Sequence, residues 1–239
     1  MIMQASTANL LLRALSAADY ALLQPALERV ALPLRTVITA ANEPIGHVHF
    51  LERGIASILT DSEIDGGIEF GLHGYEGLSG SAILLGTDRS PFRSLIQVGD
   101  AVSLRIASGA LMEACRQSAT LQAVLLRFVH TLTVQSAATA SANAHHDLPE
   151  RLARWLLMCH DRVDGDLIEI THEFMAQMLA VRRSGVTVTL HTLEATGAIR
   201  NTRGLVTVLD RGRLREIAGE SYGAPEREYE RLIAPFGLV

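Results

Sequence analysis

Residues Ile170–Asp210 read ITHEFMAQMLAVRRSGVTVTLHTLEATGAIRNTRGLVTVLD. Thr171 is a good N-cap, because its hydroxyl can accept a hydrogen bond from an amide of the first helical turn. Apolar residues then recur at helical spacing and predict a short helix over the first part of the segment. A second helix is predicted to begin near Arg182 and to end at Gly197, followed by a hairpin around Asn201–Gly204. This order of elements is typical of a winged helix-turn-helix.

The second helix has two faces of different character. Val186, Leu190 and Leu193 lie four and three residues apart, so we expect them to share a buried face. The opposite face, near the N-terminus of the helix, is the part that a recognition helix presents to base edges in the DNA major groove. The candidates for reading bases are Arg183, Ser184, Thr187 and Val188. Arginine suits this role because it can pair with guanine through two hydrogen bonds.

Other polar side chains around this helix are candidates for phosphate contacts, which position a protein on DNA without reading its sequence. They are Thr171, His172, Arg182, His191, Arg200 and Arg203. From residue 182 to residue 215 there are seven arginines against two acidic residues, net +5, whereas the whole chain carries a net charge of −5. The chain has no lysine, so every phosphate contact from a basic side chain other than histidine would come from a guanidinium. Positive charge is therefore concentrated where DNA is expected.

The stretch ITHEFMAQMLAVRRSGVTVTLHTLEATGAI, residues 170–199, resembles the helix-turn-helix of the cyclic-AMP receptor/FNR (Crp/Fnr) superfamily of transcription regulators, with no gap needed. The resemblance implies an α+β fold with three parts. These are an N-terminal antiparallel β jelly-roll sensor domain over residues 1–110, a dimerisation helix over 111–144 and a winged helix-turn-helix domain over 145–239. It also implies a homodimer on a palindromic operator. The expected partners are double-stranded DNA, a second copy of the chain, RNA polymerase and a small-molecule effector.

The N-terminal half changes from a helical to a β pattern. Residues 7–30 predict a helix in which Asp19 or Ser16 caps a second turn, and Pro25 is tolerated only near a helix start. From Val30 onward, short β-rich pieces are separated by Asn, Pro and Gly. Two further strands are predicted at Arg93–Val98 and Ala101–Ile106. Several short strands at this spacing are typical of an antiparallel barrel or jelly roll.

The region from Leu111 to about Ala144 predicts a long helix. Its apolar stripe consists of Leu121, Val124, Leu125, Phe128, Leu132 and Gln135. A coiled-coil-like contact with a second copy would cover this stripe and give a symmetric dimer, and packing on the chain's own barrel would also cover it. The small and polar residues 140–147 predict a hinge, after which Pro149 opens the next helix. The charged tail after Ser221 predicts a loosely packed helix.

In the family, a glycine-led loop with a glutamate holds the ribose of a cyclic nucleotide, and an Arg-Ser or Arg-Thr pair holds its phosphate. The resemblance carries these roles to the region between residues 74 and 94, with one more position on the long helix. The candidates are Gly77, Leu78, Ser79, Arg89, Ser90, Arg93, Ser94 and Thr131. Glu76 precedes Gly77 instead of following it, so the ribose carboxylate is out of place. We therefore expect a scaffold, or a site for a ligand other than cyclic AMP.

Other chemistries find little support in the sequence. Cys115 and Cys159 have no metal-ligand spacing, and His73 among glycines is more typical of a turn than of a haem ligand, so no cofactor or metal is expected. Without lysine there is no phosphate-binding P-loop, and residues 74–81 lack a nucleophile elbow, so an enzyme is not expected. No apolar run reaches the ~20 residues of a membrane span, and no signal peptide is evident, which favours the cytoplasm. The alternative is a regulator that works mainly through protein partners, with ligand-independent DNA binding.

Overall fold

Six antiparallel strands form the N-terminal jelly roll in the computed structural model, which describes residues 2–61 and 67–236. The strands are β1 (Glu28–Leu32), β2 (Val37–Thr39), β3 (His47–Thr60), β4 (Glu69–His73), β5 (Leu78–Ser79) and β6 (Phe92–Ala107). Their order is β1-β6-β3-β4, with β2 also on β6 and β5 also on β3. The predicted α+β class and jelly roll are therefore confirmed.

The two long strands, β3 and β6, pair along most of their length and shift register between Leu51 and Ala56. At this irregularity Gly54 has a φ of +83°, and a Cβ there would lie 2.7 Å from the Ala101 side chain. Irregularities of this kind bend and twist a pair of long strands, so that both strands can follow the curvature of a rolled sheet. The two strands predicted at 93–98 and 101–106 are in fact one strand, because Gly99, at a φ of +65°, lets the chain turn without leaving the sheet.

The helical region predicted over residues 7–30 ends earlier than expected, although Ser16 does cap its second part, as predicted. The chain forms two short helices, α1 (Leu10–Arg13) and α2 (Ala17–Leu23), and is already in β1 at residue 28. Two side chains cap these helices separately: Asn9 accepts from the Leu12 amide at 3.0 Å, and Ser16 accepts from the Asp19 amide at 3.1 Å. A separate cap starts each helix anew, which overrides the continuous apolar pattern.

Two helices follow the barrel, α3 (Ser108–Gln117) and α4 (Ala119–His145). Ser118 interrupts them and caps α4 by accepting from the Leu121 amide at 3.2 Å. The predicted apolar stripe of α4 packs on the chain's own barrel: Leu121, Leu125 and Phe128 are fully buried within one protomer, in the core cluster that also holds Phe50 and Leu104. These three side chains are therefore already covered within one protomer, and the prediction that the long helix mediates dimerisation stays a prediction.

The predicted hinge over residues 140–147 is much shorter than expected. Helix α4 continues to His145, and α5 (Leu148–His160) begins after only two residues. Asp147 caps α5 in a reciprocal arrangement: its carboxylate accepts from the Glu150 amide at 3.0 Å, and the Glu150 carboxylate accepts from the Asp147 amide at 2.9 Å. Such a capping box fixes the direction in which the chain leaves α4.

The C-terminal part contains the predicted winged helix-turn-helix. Its elements are β7 (Leu167–Glu169), α6 (His172–Met178), α7 (Arg183–Ala195), β8 (Ile199–Thr202), β9 (Leu205–Val208), α8 (Arg211–Ala218) and α9 (Ala224–Leu232). The wing is a three-stranded sheet in the order β7-β9-β8, one strand more than the predicted hairpin. Helix α9 is firmly packed on α4 instead of loose, since Tyr229 is buried and its hydroxyl donates to the Glu76 carbonyl at 2.7 Å.

Candidate nucleic-acid interface and effector cavity

Helix α7 presents a clear division between a buried and an outer face. Val186, Leu190 and Leu193 are buried against α5 and α6, as the spacing predicted. Arg183 and Ser184, in the first turn, are exposed, and Val188 is 66% exposed. An apolar side chain held this far into solvent makes no contribution to the core, so the outer face is free to meet another molecule.

Thr187 differs from the other three base-reading candidates because its hydroxyl already has partners. It lies 3.0 Å from Nδ1 of His172 and 3.2 Å from the Arg183 carbonyl. The other ring nitrogen of His172, Nε2, is 3.2 Å from Oδ1 of Asn201 on β8. His172 therefore links α7 to the wing. Asn201, which was predicted only as part of the turn of the wing, completes this link.

The remaining phosphate candidates surround α7. Thr171 caps α6 by accepting from the Phe174 amide at 3.3 Å, while Arg182 is exposed at the residue that precedes α7. Arg200 on β8 and Arg203 at the tip of the wing are also exposed. His191 is exposed and lies 3.7 Å from the Glu194 carboxylate. The exposed basic side chains among these candidates thus lie just before α7, on α7 itself and in the wing that follows it along the chain.

The helix-turn-helix is anchored to the barrel through α5, and one anchor is a buried carboxylate. Glu69 of β4 accepts a hydrogen bond from the Trp155 indole at 2.7 Å, and its other oxygen is bonded to the Ser57 hydroxyl. Burial raises the pKa of Glu69 to about 7, although both of these hydrogen bonds act in the opposite direction. Within the folded protein this carboxyl therefore keeps its proton to a higher pH than an exposed glutamate does.

Glu69 is expected to make stability depend on pH. Its pKa is about 7 in the folded chain, against an ordinary value of 4.5, so the folded state holds a proton that the unfolded state has lost between these values. Stability from this group is therefore complete below pH 4.5 and falls by about 3 kcal/mol as the pH rises to 7. Urea unfolding of wild type and Glu69→Gln should show a stability difference in favour of Gln that grows as the pH rises from 4.5 to 7 and levels off above the folded-state pKa.

The comparison with Glu69→Gln is needed because buried histidines act with the opposite sign. Burial lowers the pKa of His49 to about 4 and that of His73 to about 3, so both groups add stability as the pH rises. Their contributions are the same in wild type and variant and cancel in the difference. A difference in unfolding free energy between wild type and Glu69→Gln that stays constant from pH 4.5 to 7 would contradict a raised pKa of Glu69.

A second anchor joins the barrel to the end of α5. Arg162 donates from Nε to the Glu76 carboxylate at 2.8 Å and from Nη1 to the Met158 carbonyl at 2.7 Å. Both side chains of the ion pair are only 3% exposed, and the Phe236 ring covers the guanidinium at 4.8 Å. Glu76 also accepts from the Gly74 amide at 2.8 Å. The loop between β4 and β5 is thus fastened to the DNA-binding part of the chain.

A cavity of about 390 Å³ lies between the barrel and α4. Six of the eight effector-site candidates line it, namely Leu78, Ser79, Arg89, Ser90, Arg93 and Ser94. Gly77 lies outside the lining, packed so closely that a Cβ would be 2.3 Å from the Phe128 ring. Thr131 is also outside it, buried and donating to the Phe128 carbonyl at 2.7 Å.

The other lining residues, His73 and Thr39 among them, were not effector-site candidates. His73 is fully buried, and its Nε2 lies 2.8 Å from the Ser79 hydroxyl. Thr39 comes from β2, which is paired with β6 next to Ser94, and nothing in its local sequence marks it. In the described residues, 2–61 and 67–236, no group of three or more His, Cys, Asp or Glu is arranged to hold a metal ion. No helix in that part of the chain is long and apolar enough to span a membrane.

Comparison with known proteins places these features in a family context. Residues 150–217 match the family model of the Crp-like helix-turn-helix domain. No curated protein matches the sequence significantly. Among solved structures, the chain is similar to FixK2 from Bradyrhizobium japonicum, with a TM-score of 0.69 and 14% identity over 81% of this chain and 98% of that one.

Two further structures show the same fold. A Crp-family transcriptional regulator from Thermus thermophilus has a TM-score of 0.66 and 21% identity over 82% of this chain and 99% of that one. The c-di-GMP-responsive global regulator CLP of Xanthomonas campestris has a TM-score of 0.64 and 17% identity over 81% and 99%. At these identities the likeness establishes the arrangement of barrel, long helix and winged domain.

Proposed function

We propose that this chain is a Crp/Fnr transcription regulator that acts as a homodimer on a palindromic DNA operator, because residues 150–217 match the Crp-like helix-turn-helix domain and the fold is similar to those of solved Crp/Fnr-family structures. A small effector other than cyclic AMP, bound in the barrel cavity, would control it, with RNA polymerase as a further partner. The observation that carries the DNA-binding role is the outer face of α7, where Arg183, Ser184 and Val188 are exposed beside a wing that carries Arg200 and Arg203.

Support for a dimer comes from a row of exposed residues on α4, of which Thr133 also lines the cavity and His130 also lies 3.0 Å from the Glu228 carboxylate of α9. Eight exposed residues follow one another at alternating intervals of four and three along this helix, which is the spacing of a coiled-coil seam. We call them the α4 seam: Ala119, Ala123, Leu126, His130, Thr133, Ala137, Ala140 and Ala144. Five of the eight are alanines, so two copies of α4 could approach closely. Two DNA-binding domains would then face two half-sites about one helical turn apart.

Ala137→Arg should prevent this association. Ala137 is exposed and central to the C-terminal half of the α4 seam, so a guanidinium there leaves the monomer intact but places two like charges together in a dimer. We expect the variant to sediment as a monomer and to lose most of its affinity for a two-half-site operator. Ala137→Ser, which keeps the side chain small, is the matched control. A dimeric Ala137→Arg protein would show that association uses another surface.

Arg183→Ala should weaken operator binding by about 1–3 kcal/mol and relax specificity at one base position. The operator is first found by binding the protein to randomised duplexes and sequencing the bound fraction. Fluorescence anisotropy then compares wild type and variant on the operator and on single-base variants of it. Arg203→Ala is the control, since loss of a phosphate contact weakens binding to all sequences alike. Unchanged base preference in Arg183→Ala would remove Arg183 from the readout.

A further inference from the structure

The barrel cavity differs in its chemistry from a site for a nucleotide. Much of its wall is apolar and includes Ile58, Phe70 and Leu132. Among its described lining residues the charged ones are two arginines, Arg89 and Arg93, and no carboxylate is present to bind a ribose. Ligands of mixed character are held in such pockets by apolar contact along the body and by a few polar groups at one end.

One hydroxyl in the lining of the cavity, that of Thr39, has no hydrogen-bond partner among the described residues. Thr39 is only 7% exposed. Beside it, the Ser79 and Ser94 hydroxyls lie 3.3 Å apart, and Ser79 is joined to His73 at 2.8 Å. An unsatisfied buried hydroxyl is costly, so a ligand atom that accepts its proton would be stabilised there.

The end of the cavity near Thr39 also carries the positive charge. The Asn42 amide donates to the Ser90 carbonyl at 2.7 Å, which holds the loop after Thr39 against the loop of Arg89. Arg89 lines the cavity, and its exposed side chain lies 3.4 Å from the Asp88 carboxylate. Hydroxyls and a guanidinium together provide donors for an acceptor that carries negative charge.

The lining of the cavity offers no carboxylate that could bind the ribose of a cyclic nucleotide. Residues 73–94 contain two carboxylates, Glu76 and Asp88, and neither lines the cavity. Asp88 lies 3.4 Å from Arg89, and Glu76 is held by Arg162 and by the Gly74 amide. Releasing Glu76 would leave the buried Arg162 charge without its ion-pair partner, which is strongly unfavourable. The cavity therefore favours a ligand whose only charged group is at the end near Thr39.

We propose that the cavity binds a small monocarboxylate with an apolar body, whose carboxylate accepts hydrogen bonds from Thr39 and Arg89 and whose body lies along Ile58, Phe70 and Leu132. This inference deepens the proposed function, in which the cavity holds the effector. Its volume, about 390 Å³, is at the lower end of the range for organic ligands and suits a chain or ring of modest size. Because Leu132 belongs to α4, the ligand would also touch the helix that carries the α4 seam.

The test is isothermal titration calorimetry of the full chain, without DNA, with octanoate, 1-octanol and cyclic AMP. We expect octanoate to bind at one saturable site. We expect 1-octanol, which has the same body but no charge, to bind about ten-fold or more weakly, because hydrogen bonds to a charged group are the stronger ones. Cyclic AMP should bind more weakly than octanoate. Equal binding of octanoate and octanol, tighter binding of cyclic AMP, or no binding of octanoate would each overturn the proposal.

Variants at Thr39 test whether octanoate binds in this cavity. Thr39→Val keeps the shape and the β-branching of the side chain but removes the hydroxyl, and should weaken octanoate binding about five-fold or more without changing octanol binding. Thr39→Ser restores the hydroxyl and should restore affinity. Thermal unfolding of each variant shows that the fold is retained. Unchanged octanoate binding in Thr39→Val would contradict the assignment, and because DNA is absent from the titration, neither outcome bears on operator binding.

Discussion

Replacing Arg162 by methionine is expected to destabilise the protein by about 3–5 kcal/mol, because it leaves the Glu76 carboxylate buried without its counter-charge. Burial alone would lower the pKa of the Arg162 guanidinium, but the Glu76 charge raises it above its ordinary value, so the arginine stays charged at every pH of interest. Methionine fills a similar volume, so most of the loss is electrostatic. Urea unfolding at neutral pH, followed by circular dichroism, measures it.

The control is the double variant Arg162→Met, Glu76→Gln, which removes both charges. A glutamine at position 76 can still accept from the Gly74 amide, so we expect the double variant to regain most of the lost stability. Additive losses in the double variant would mean that the two side chains act independently. The same pair fastens the loop between β4 and β5 to α5, so the single variant should also show faster proteolysis at that junction.

Leu190→Ala is expected to cost about 2–5 kcal/mol, the second large effect. Leu190 is fully buried at the centre of the helix-turn-helix core, where α7 meets α5 and α6, so truncation removes apolar contact and leaves a cavity. Urea unfolding measures the loss. Specific DNA binding should fall with stability and recover at lower temperature, since no group that would contact DNA is removed.

Val188→Ala, two residues earlier on the same helix, is the matched control. Val188 is 66% exposed, and alanine is the better helix former, so we expect stability to be unchanged or slightly higher. Operator affinity, however, should fall if a methyl group of Val188 contacts the methyl group of a thymine in the operator. If Val188→Ala and Leu190→Ala lose equal stability, the division of α7 into a buried and an outer face is wrong.

The helix-turn-helix was predictable because its signals are local. Thr171 caps α6 by a hydrogen bond to an amide only three residues away. The buried face of α7 can be predicted from the spacing of Val186, Leu190 and Leu193 alone. The positions of the effector-site candidates were less predictable. Gly77 fell outside the cavity because it packs against the Phe128 ring, and Thr131 is buried with its hydroxyl donating to the Phe128 carbonyl one turn earlier in α4.

Helix α4 shows why an apolar stripe does not identify its own partner. Leu121, Leu125 and Phe128 follow the spacing of a dimer contact as well as that of an intrachain contact. Only the position of the barrel, brought against α4 by the turn at Ser118, selects between the two. The α4 seam is rich in alanine, and so it gave no strong apolar signal in the sequence.

The sequence by itself determined the α+β class, the winged helix-turn-helix, its buried and outer faces and the concentration of arginines beside them, because helical periodicity, capping and charge act over a few residues. The tertiary structure decided what depends on contacts between distant residues. It brought Thr39 and His73 to one cavity, joined His172 to Asn201, and buried Glu69 and the Glu76–Arg162 pair between the two parts of the chain. No local pattern encodes such pairs, since each partner is chosen by the fold that brings the two elements together.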